Sequence, residues 1–266
     1  MQKIRKRVKI IKPSYIFIIV ICTIIISGCS PKSNLEFRYS FLNSNELNNF
    51  AESLLSESGI PNKNVRRWLE FVGKYNAKQA EFVSSTNSGW VNTSIRNYSK
   101  INFNETLNGW SKEEVENLDI NCRIALFSLI ADSLQFNGEI SGEVYESEIN
   151  KMNNLLGFNL SSNQVSVFKA LFIPLGAAGD IDLKIPNQFK VLRIYLDSNN
   201  DNISEMAHTA LIIEKDENLY LIEKKNPGYP FQISEFNNLK EIFIYYNHIY
   251  KQDKEIYVNL QKAIVS

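Results

Sequence analysis

The sequence predicts an α+β fold in which a helical N-terminal half packs on a C-terminal antiparallel sheet. Between residues 43 and 175, apolar side chains recur every three or four positions, which is the spacing of amphipathic helices. Between residues 186 and 266, short runs rich in β-branched and aromatic residues replace that pattern. Helices followed by strands with short turns are typical of the α+β class. We therefore expect a single domain over residues 43–266.

The first residues have the features of a secretory signal. Residues 1–14 carry six Lys and Arg side chains and no acidic one, and the twelve residues Tyr15–Ile26 are almost wholly apolar. A run of that length is short for a membrane-spanning helix, which needs about 20 residues. The sequence therefore predicts export of the chain from the cytoplasm.

The end of this leader, Ile26-Ser27-Gly28-Cys29, resembles a bacterial lipobox. The resemblance implies cleavage after residue 28 and a lipid on Cys29. Residues 29–42 would then be a tether, and the domain would be anchored to the cell membrane on its extracytoplasmic face. An uncleaved N-terminal anchor is the alternative, and it gives the same location.

Charge and cysteine content limit the classes of function. Without the leader the chain keeps 23 basic and 29 acidic residues, a net charge of −6, which argues against a nucleic acid partner. Cys22 leaves with the leader and Cys29 is lipidated, so Cys122 has no intramolecular partner for a disulfide. Either burial or catalysis explains an unpaired thiol in an exported protein.

Six segments of the N-terminal half have the periodicity or the capping signals of helices. Ser111 and Glu114 match a capping box, and Asp119 is a candidate N-cap for the strongly apolar segment that follows it. The predicted helices cover residues 44–58, 64–78, 112–118, 119–136, 143–156 and 162–172.

Residues 84–110 predict a long ordered loop, because they are rich in Ser, Asn and Thr, and such loops are often functional. Trp90 and Trp110 within it would either fill the core or line a glycan-binding groove. Core filling is the more common role of aromatic side chains.

The C-terminal half carries the strand signals. Residues 215–218 separate two of the runs and predict a hairpin connection. The apolar spacing of residues 235–250 predicts a helix, although residues 242–246 within it have the composition of a strand. The predicted strands cover residues 189–196, 207–214, 219–223 and 255–260.

One thiol, one imidazole and one carboxylate occur in the order that thiol hydrolases use. Cys122 lies at the start of an apolar helix, where the thiol pKa is lowered and free amide groups can stabilise an oxyanion. His208 begins a strand and is a candidate general base. Glu223 on the next strand falls nearly opposite His208 across the hairpin, so it can orient the ring.

Alternatives remain for each role. Asn226 and Gln232 are substitutes for the orienting residue, and His248 is a rival base. Each residue also has an ordinary interpretation: a core thiol, a structural histidine and a surface carboxylate. The three together favour the catalytic interpretation.

Metal sites have weaker support. Residues 197–205 resemble the start of a calcium loop but lack the glycine at its sixth position, and His208 stands where a bidentate Glu is expected. A solvated turn is therefore the better interpretation. The chain has too few Cys and His residues for a closed zinc site, and we predict no cofactor.

Four short blocks resemble a family of bacterial lipoproteins described as domain of unknown function 4300. The blocks are Asn121–Ala125, Ala207–Leu211, Leu221–Lys224 and Pro230–Gln232. The family implies no activity. The order of cysteine on a helix, histidine on a strand and a polar residue on the next strand is also similar to papain-like and NlpC-type peptidases, although Asn121 before the cysteine departs from their pattern.

These resemblances imply a lipid-anchored cysteine hydrolase or transferase that acts on an amide bond, with a peptide or peptidoglycan substrate. Cys122 would be the nucleophile, His208 the base and Glu223 the orienting residue, while Asn121 would help to position the oxyanion. The alternatives are a non-catalytic lipoprotein that binds a ligand or partner, and a structural protein of the envelope.

Overall fold

The computed structural model describes residues 35–79, 89–101, 110–138, 140, 145–172, 183–197, 204–226, 228–250 and 256–261. The predicted signal peptide, the lipidation site Cys29 and most of the calcium-like segment, residues 198–203, lie outside these ranges. Within the described residues, no helix has the length and apolar character needed to cross a membrane.

The N-terminal half is helical, as the periodicity predicts. Ser44 caps the first helix by accepting a hydrogen bond from the Leu47 amide, and Ser111 and Glu114 form the expected capping box. The helices are α1 (Asn45–Glu57), α2 (Asn62–Ala77), α3 (Ile95–Tyr98), α4 (Lys112–Leu118), α5 (Cys122–Ile130), α6 (Glu146–Leu156) and α7 (Ser162–Phe172).

Helix α5 differs from its prediction at both ends. Its N-cap is Asn121 rather than Asp119, because the Asn121 side-chain oxygen accepts the Ile124 amide hydrogen at 3.0 Å. It stops at Ile130, after which one 3₁₀ turn leads into strand β3 (Gln135–Phe136), which pairs with β4 (Leu183–Lys184). All of α5 from residue 124 onward is buried, as expected of a helix that is apolar on every side.

Seven strands of the described residues form one antiparallel sheet in the order β2-β1-β8-β7-β6-β5-β9. Four of them confirm predicted strands: β5, β6 and β7 are slightly longer than predicted, and β9 is shifted by one residue. The strands are β1 (Glu36–Ser40), β2 (Val91–Ser94), β5 (Phe189–Asp197), β6 (Ser204–Lys215), β7 (Asn218–Lys224), β8 (Phe231–Phe236) and β9 (Ile256–Gln261).

Two strands at one end of the sheet, β1 and β2, correct the sequence prediction. Strand β1 lies within the predicted tether, residues 29–42, and strand β2 with helix α3 lies within the predicted loop, residues 84–110. Both strands are short and gain their stability from pairing, β1 with β8 and β2 with β1, which local periodicity does not reveal. Strand β8 was also not predicted.

The residues 235–250 resolve into a strand end and a helix. Strand β8 ends at Phe236, Asn238 caps the next helix, and α8 runs from Leu239 to Ile249. Its buried residues Ile242, Tyr245 and Tyr246 are spaced as one helical face. Tertiary packing of that face therefore overrides the β propensity of the sequence.

The sheet has a core on each face. Leu211 and Ile222 belong to the core shared with α2 and α5, whereas Ile212 and Leu221 belong to the core shared with α8. Since side chains alternate along a strand, neighbouring residues of β6 and β7 contribute to opposite cores. Helix α5 packs across β6 and β7, which brings Cys122 to these two strands.

Candidate active site

The pairing of β6 with β7 ends before the strands do. The ladder runs from the hairpin to Leu211 opposite Ile222, whereas β6 extends back to Ser204 and β7 on to Lys224. On its other side, β6 shifts register against β5 next to His208, which marks a β-bulge. His208 and Glu223 both lie beyond the last paired residues of β6 and β7, next to this bulge. A bulge changes the direction in which nearby side chains point.

Cys122 is the first residue of α5 and remains partly exposed to solvent. Burial of the thiol works to raise its pKa. This effect is outweighed by three groups that lower the pKa: the His208 ring, the Thr209 backbone amide and the Arg123 guanidinium. The pKa of Cys122 therefore lies below the ordinary thiol value. The surroundings therefore favour the thiolate.

His208 is fully buried and bonded to Glu223, with 2.8 Å between Nε2 and Oε2. Its other ring nitrogen, Nδ1, is buried without a well-aligned hydrogen-bond partner among the described residues. Burial works to lower the pKa of His208, but the adjacent Cys122 and Glu223 raise it to about 9. Since Nε2 is taken, Nδ1 is the nitrogen that remains for the thiol.

Glu223 is held as a carboxylate by several donors. Its Oε1 accepts the Tyr245 hydroxyl at 2.8 Å, and its Oε2 accepts the Tyr246 hydroxyl at 2.7 Å in addition to the imidazole. Burial raises its pKa, but His208, Lys225 and Tyr246 outweigh burial and lower it. A buried carboxylate with this many donors is both charged and fixed in orientation.

The rival residues have other partners. The backbone carbonyl of Asn226 accepts a hydrogen bond from the Lys224 ammonium. The Gln232 side chain accepts a hydrogen bond from the Tyr98 hydroxyl and donates one to Ser234. The ring of His248 contacts the Ser99 hydroxyl on the surface. Of these candidates, Glu223 is the one that the structure places against the His208 ring.

Asn121 bonds both to the start of α5 and to a neighbouring helix. Its Oδ1 caps α5, and its Nδ2 donates to Glu148 at 3.3 Å. Glu148 also binds Arg123. These contacts fix the turn that carries Cys122, and the amide groups at the helix start, Cys122 and Arg123, are the donors left free of helical acceptors.

A second buried cluster lies close to the thiol and was not foreseen from the sequence. The Oδ1 atom of Asp119 accepts the Lys224 ammonium and the Tyr75 hydroxyl, both at 2.7 Å, and the Gly228 amide at 3.0 Å. Burial lowers the pKa of Lys224 to about 8, although Asp119 and Cys122 oppose this effect. Asp119 ends α4, Tyr75 lies on α2 and Lys224 lies on β7. These elements are far apart in the sequence, so the cluster exists only in the folded domain.

The thiol lines a pocket that runs between α5 and the sheet. Its empty space is about 240 Å³, counted with the solvent at its mouth. Cys122, Thr209, Glu223 and Lys224 lie in its wall, and the remaining wall is apolar.

The two tryptophans of the predicted loop, Trp90 and Trp110, pack against the core shared with α2 and α5. Trp90 contacts Phe50 and Tyr220, and Trp110 contacts Tyr75. Among the described residues, no three His, Cys, Asp or Glu side chains come together as metal ligands.

A family model described as "Domain of unknown function (DUF4300)" matches residues 38–264. The match covers most of the chain, so the chain belongs to this family. No curated protein and no solved structure matches it.

Proposed function

We propose that this member of the family is a thiol-dependent hydrolase or acyltransferase that acts on an amide bond, with Cys122 as nucleophile, His208 as acid and base, and Glu223 as orienting residue. The observation that carries the proposal is the 2.8 Å hydrogen bond between His208 Nε2 and Glu223, which leaves the buried Nδ1 atom for Cys122, a partly exposed residue at a helix start.

The bond from Glu223 fixes the ring in the orientation that the reaction needs. The thiolate attacks the carbonyl carbon of the substrate, a C–S bond forms, and the carbonyl oxygen becomes negative. When the intermediate collapses, the C–N bond breaks and the imidazolium gives its Nδ1 proton to the departing amine. A thioester on Cys122 remains.

The second half of the reaction reverses the proton transfer. Neutral His208 takes a proton from water as the water attacks the thioester, the C–S bond breaks, and the thiolate and imidazolium are restored. If an amine replaces water, the same steps give acyl transfer. Tyr245 and Tyr246 keep Glu223 charged throughout, so that it stabilises the imidazolium in both halves.

The oxyanion would be stabilised by the backbone amides of Cys122 and Arg123. Amide groups in the first turn of a helix have no acceptor within the helix, and they carry the positive end of its dipole. Asn121 supports this arrangement by capping α5. In this proposal Asn121 is a positioning residue, and the amide groups are the oxyanion donors.

A papain-like arrangement is part of the proposal. In support, a helix begins with the cysteine, crosses an antiparallel sheet, and meets a histidine and a carboxylate on two neighbouring strands. The substrate proposed on that basis is a peptide, with cell-wall peptides as the first class to test.

We also propose that the domain is anchored by a lipid on Cys29 to the extracytoplasmic face of the membrane. The basic residues, the apolar run and the Ser-Gly-Cys sequence at residues 27–29 support this location. Incorporation of labelled palmitate in cells, lost in Cys29→Ala and kept in Cys122→Ala, tests it. Equal labelling of the Cys29→Ala protein would refute the anchor.

The enzyme proposal is tested with the full chain and a fluorogenic peptide-amide library, together with muropeptides analysed by mass spectrometry. We expect products from the wild type and none from Cys122→Ala, with a covalent adduct on Cys122 identified by peptide mapping. His248→Ala is the matched control and should stay active. Products of equal amount from Cys122→Ala, or no adduct from any substrate, would refute the proposal.

A further inference from the structure

Two buried lysines follow Glu223 in the sequence, and they lie on opposite faces of the sheet. Lys224 points to the side of α5, where its Nζ lies 2.7 Å from Asp119 Oδ1. Lys225 points to the side of α8, where its Nζ lies 5.6 Å from the ring centroid of Tyr245. Side chains two residues apart on an extended chain point the same way, so Lys225 shares the α8 face with Glu223. The proton transfers proposed for the site use neither ammonium.

Tyrosine rings lie around the Lys225 ammonium. Its Nζ is 4.5 Å from the ring centroid of Tyr98 and 5.9 Å from that of Tyr229, in addition to the contact with Tyr245. Ring faces attract a cation, so these tyrosines hold the charge in place inside the domain. Burial favours the neutral amine and lowers the pKa of Lys225 to about 8, while the Glu223 carboxylate opposes this effect. Lys225 therefore carries its charge at neutral pH.

The Glu223 carboxylate is shared between a ring and an ammonium. His208 Nε2 lies 2.8 Å from its Oε2, and the charge of Lys225 also helps to lower the pKa of Glu223. Two cations beside one anion repel each other, so the ammonium works against the charged form of the imidazole. In the free protein the Cys122 thiolate offsets this repulsion, because it is a second anion next to the ring and raises the pKa of His208.

The other titratable groups near the ring do not change this balance. The ring centroids of Tyr246 and Tyr250 lie 5.6 Å and 6.2 Å from that of His208. Burial raises the pKa of both hydroxyls well above the ordinary value, so they stay neutral over the pH range in which the ring titrates. Lys224 is held on the opposite face by Asp119 and is the same in every protein compared below.

We propose that Lys225 is a positioning residue whose ammonium shares the Glu223 carboxylate with His208, so that the ring stays neutral while Cys122 carries the acyl group. This inference rests on the proposed function and concerns its second half. A thioester sulfur is uncharged, so acylation removes one of the two anions that favour the imidazolium. Lys225 opposes the other one. The ring that has given its proton to the leaving amine then remains a base, and it can take a proton from water.

An NMR titration tests this effect without a substrate. The parent protein carries Cys122→Ala and His248→Ala, so residue 122 is neutral, as in the acyl-enzyme, and His208 is the only imidazole. Adding Lys225→Met should raise the titration midpoint of His208 by about one pH unit, the low end of what a neighbouring charge produces. Lys225→Arg keeps the charge and should stay near the parent value. Lys74→Met makes the same change at an exposed ion pair and should leave the midpoint unchanged.

Lys225→Gln is a second neutral variant, in case methionine disturbs the packing of the tyrosines, and the dispersion of the amide signals reports whether each protein is folded. It should raise the midpoint as Lys225→Met does. A midpoint that stays the same or falls in the neutral variants overturns the proposal. A midpoint that rises as much in Lys225→Arg as in Lys225→Met also overturns it, because the charge would then not be the cause.

The rate of deacylation connects the charge to the reaction. The Cys122 thiolate of the otherwise unchanged protein attacks 4-nitrophenyl acetate, the C–S bond forms and 4-nitrophenolate leaves, and mass spectrometry then follows the loss of the acetyl adduct. At pH 7 we expect Lys225→Met to lose the adduct up to about tenfold more slowly than the wild type, since one pH unit of midpoint is a tenfold change in the neutral ring. The two rates should converge as the pH rises, and acylation should not slow down.

Two failures can be told apart. If the adduct forms but is lost equally fast from the wild type and Lys225→Met at pH 7, the role of Lys225 is refuted and the thiol chemistry stands. If no adduct forms on Cys122 of the wild type, the proposed function falls and takes the catalytic role of Lys225 with it, even where the midpoint of His208 still responds to the charge.

Discussion

His208 and Glu223 are joined diagonally at the open end of the β6–β7 pair, with 2.8 Å between Nε2 and Oε2. The register of Leu211 opposite Ile222 would, if extended, place His208 opposite Lys225. Glu223 is therefore two residues away on the same face, a diagonal neighbour within reach of a long side chain. Helix α5 packs on the opposite face of these two strands, and Cys122 shares a pocket wall with Thr209 and Glu223 at this end of the ladder.

The pH profile of thiol alkylation measures the influence of His208 on Cys122. In the wild type we expect the iodoacetamide rate to reach half its maximum below pH 9.0, the ordinary thiol value, because the imidazolium stabilises the thiolate. In His208→Ala, burial becomes the main influence on the pKa of Cys122 and raises it. The pH at which the alkylation rate is half its maximum should therefore move above 9.0. Labelling is assigned to Cys122 by peptide mapping against Cys122→Ala.

His248→Ala is the control for this experiment, because it removes the other histidine at a surface contact with Ser99. It should reproduce the wild-type profile. Superimposable profiles for the wild type and His208→Ala would mean that the imidazole does not act on the thiol.

The pKa of His208 is predicted to depend on Glu223. The chain has two histidines, so a His248→Ala background leaves one imidazole signal in an NMR titration. In that background His208 should stay protonated up to about pH 9, since Cys122 and Glu223 both favour the charged ring. Glu223→Gln removes one of these charges, so the titration midpoint should fall.

Tyr246→Phe provides a graded comparison. It deletes one hydrogen bond to Glu223 but keeps the carboxylate, so the midpoint of His208 should move less than in Glu223→Gln. A midpoint that is the same in Glu223→Gln as in the parent protein would contradict the assignment of Glu223 as the orienting residue.

The sequence revealed the local parts of this site better than their assembly. The position of Cys122 in the first turns of an apolar helix, the strand of His208 and the hairpin that brings Glu223 near it follow from periodicity and turn signals. Asp216 and Glu217 indeed adopt the left-handed backbone that a tight two-residue hairpin needs.

What the sequence did not reveal depends on contacts between distant segments. Strands β1 and β2 form through non-local pairing, β1 with β8 and β2 with β1, and the Asp119 carboxylate contacts Lys224, which is 105 residues away in the chain. Periodicity does not report such contacts. Asp119 was misassigned as a helix cap because Asp and Asn are equally good caps, and burial of Asp119 against Lys224 decided between it and Asn121.

Capping by Asn121 predicts a linked loss of stability and thiol reactivity. Asn121→Ala leaves the Ile124 amide without its acceptor and should lower the free energy of unfolding by about 1 kcal/mol. The alkylation rate of Cys122 at pH 7 should also fall, since the first turn of α5 becomes less ordered. Urea unfolding and the labelling rate measure the two effects.

Asn121→Ser separates capping from donation by the side-chain amide. Serine keeps an oxygen that caps a helix, so this variant should recover most of the stability and reactivity lost in Asn121→Ala. If Asn121→Ser were as defective in substrate turnover as Asn121→Ala while its stability was restored, the amide itself would contact the substrate.

The buried pair of Asp119 and Lys224 should be one of the most costly contacts to break in this domain. Among the described residues, Lys224→Met leaves the buried Asp119 carboxylate with two neutral donors, the Tyr75 hydroxyl and the Gly228 amide, and should lower the free energy of unfolding by roughly 3–5 kcal/mol. The control is Lys74→Met, which breaks the exposed ion pair with Glu70 and should cost less than about 1 kcal/mol.

A double-mutant cycle shows whether the cost of Lys224→Met comes from the orphaned charge. Adding Asp119→Asn to Lys224→Met removes that charge while keeping a side chain of the same shape, so the double variant should be more stable than Lys224→Met alone. Urea unfolding of the four proteins measures the coupling. Strictly additive losses would mean that the two side chains stabilise the fold independently, and that the 2.7 Å contact between them contributes nothing of its own.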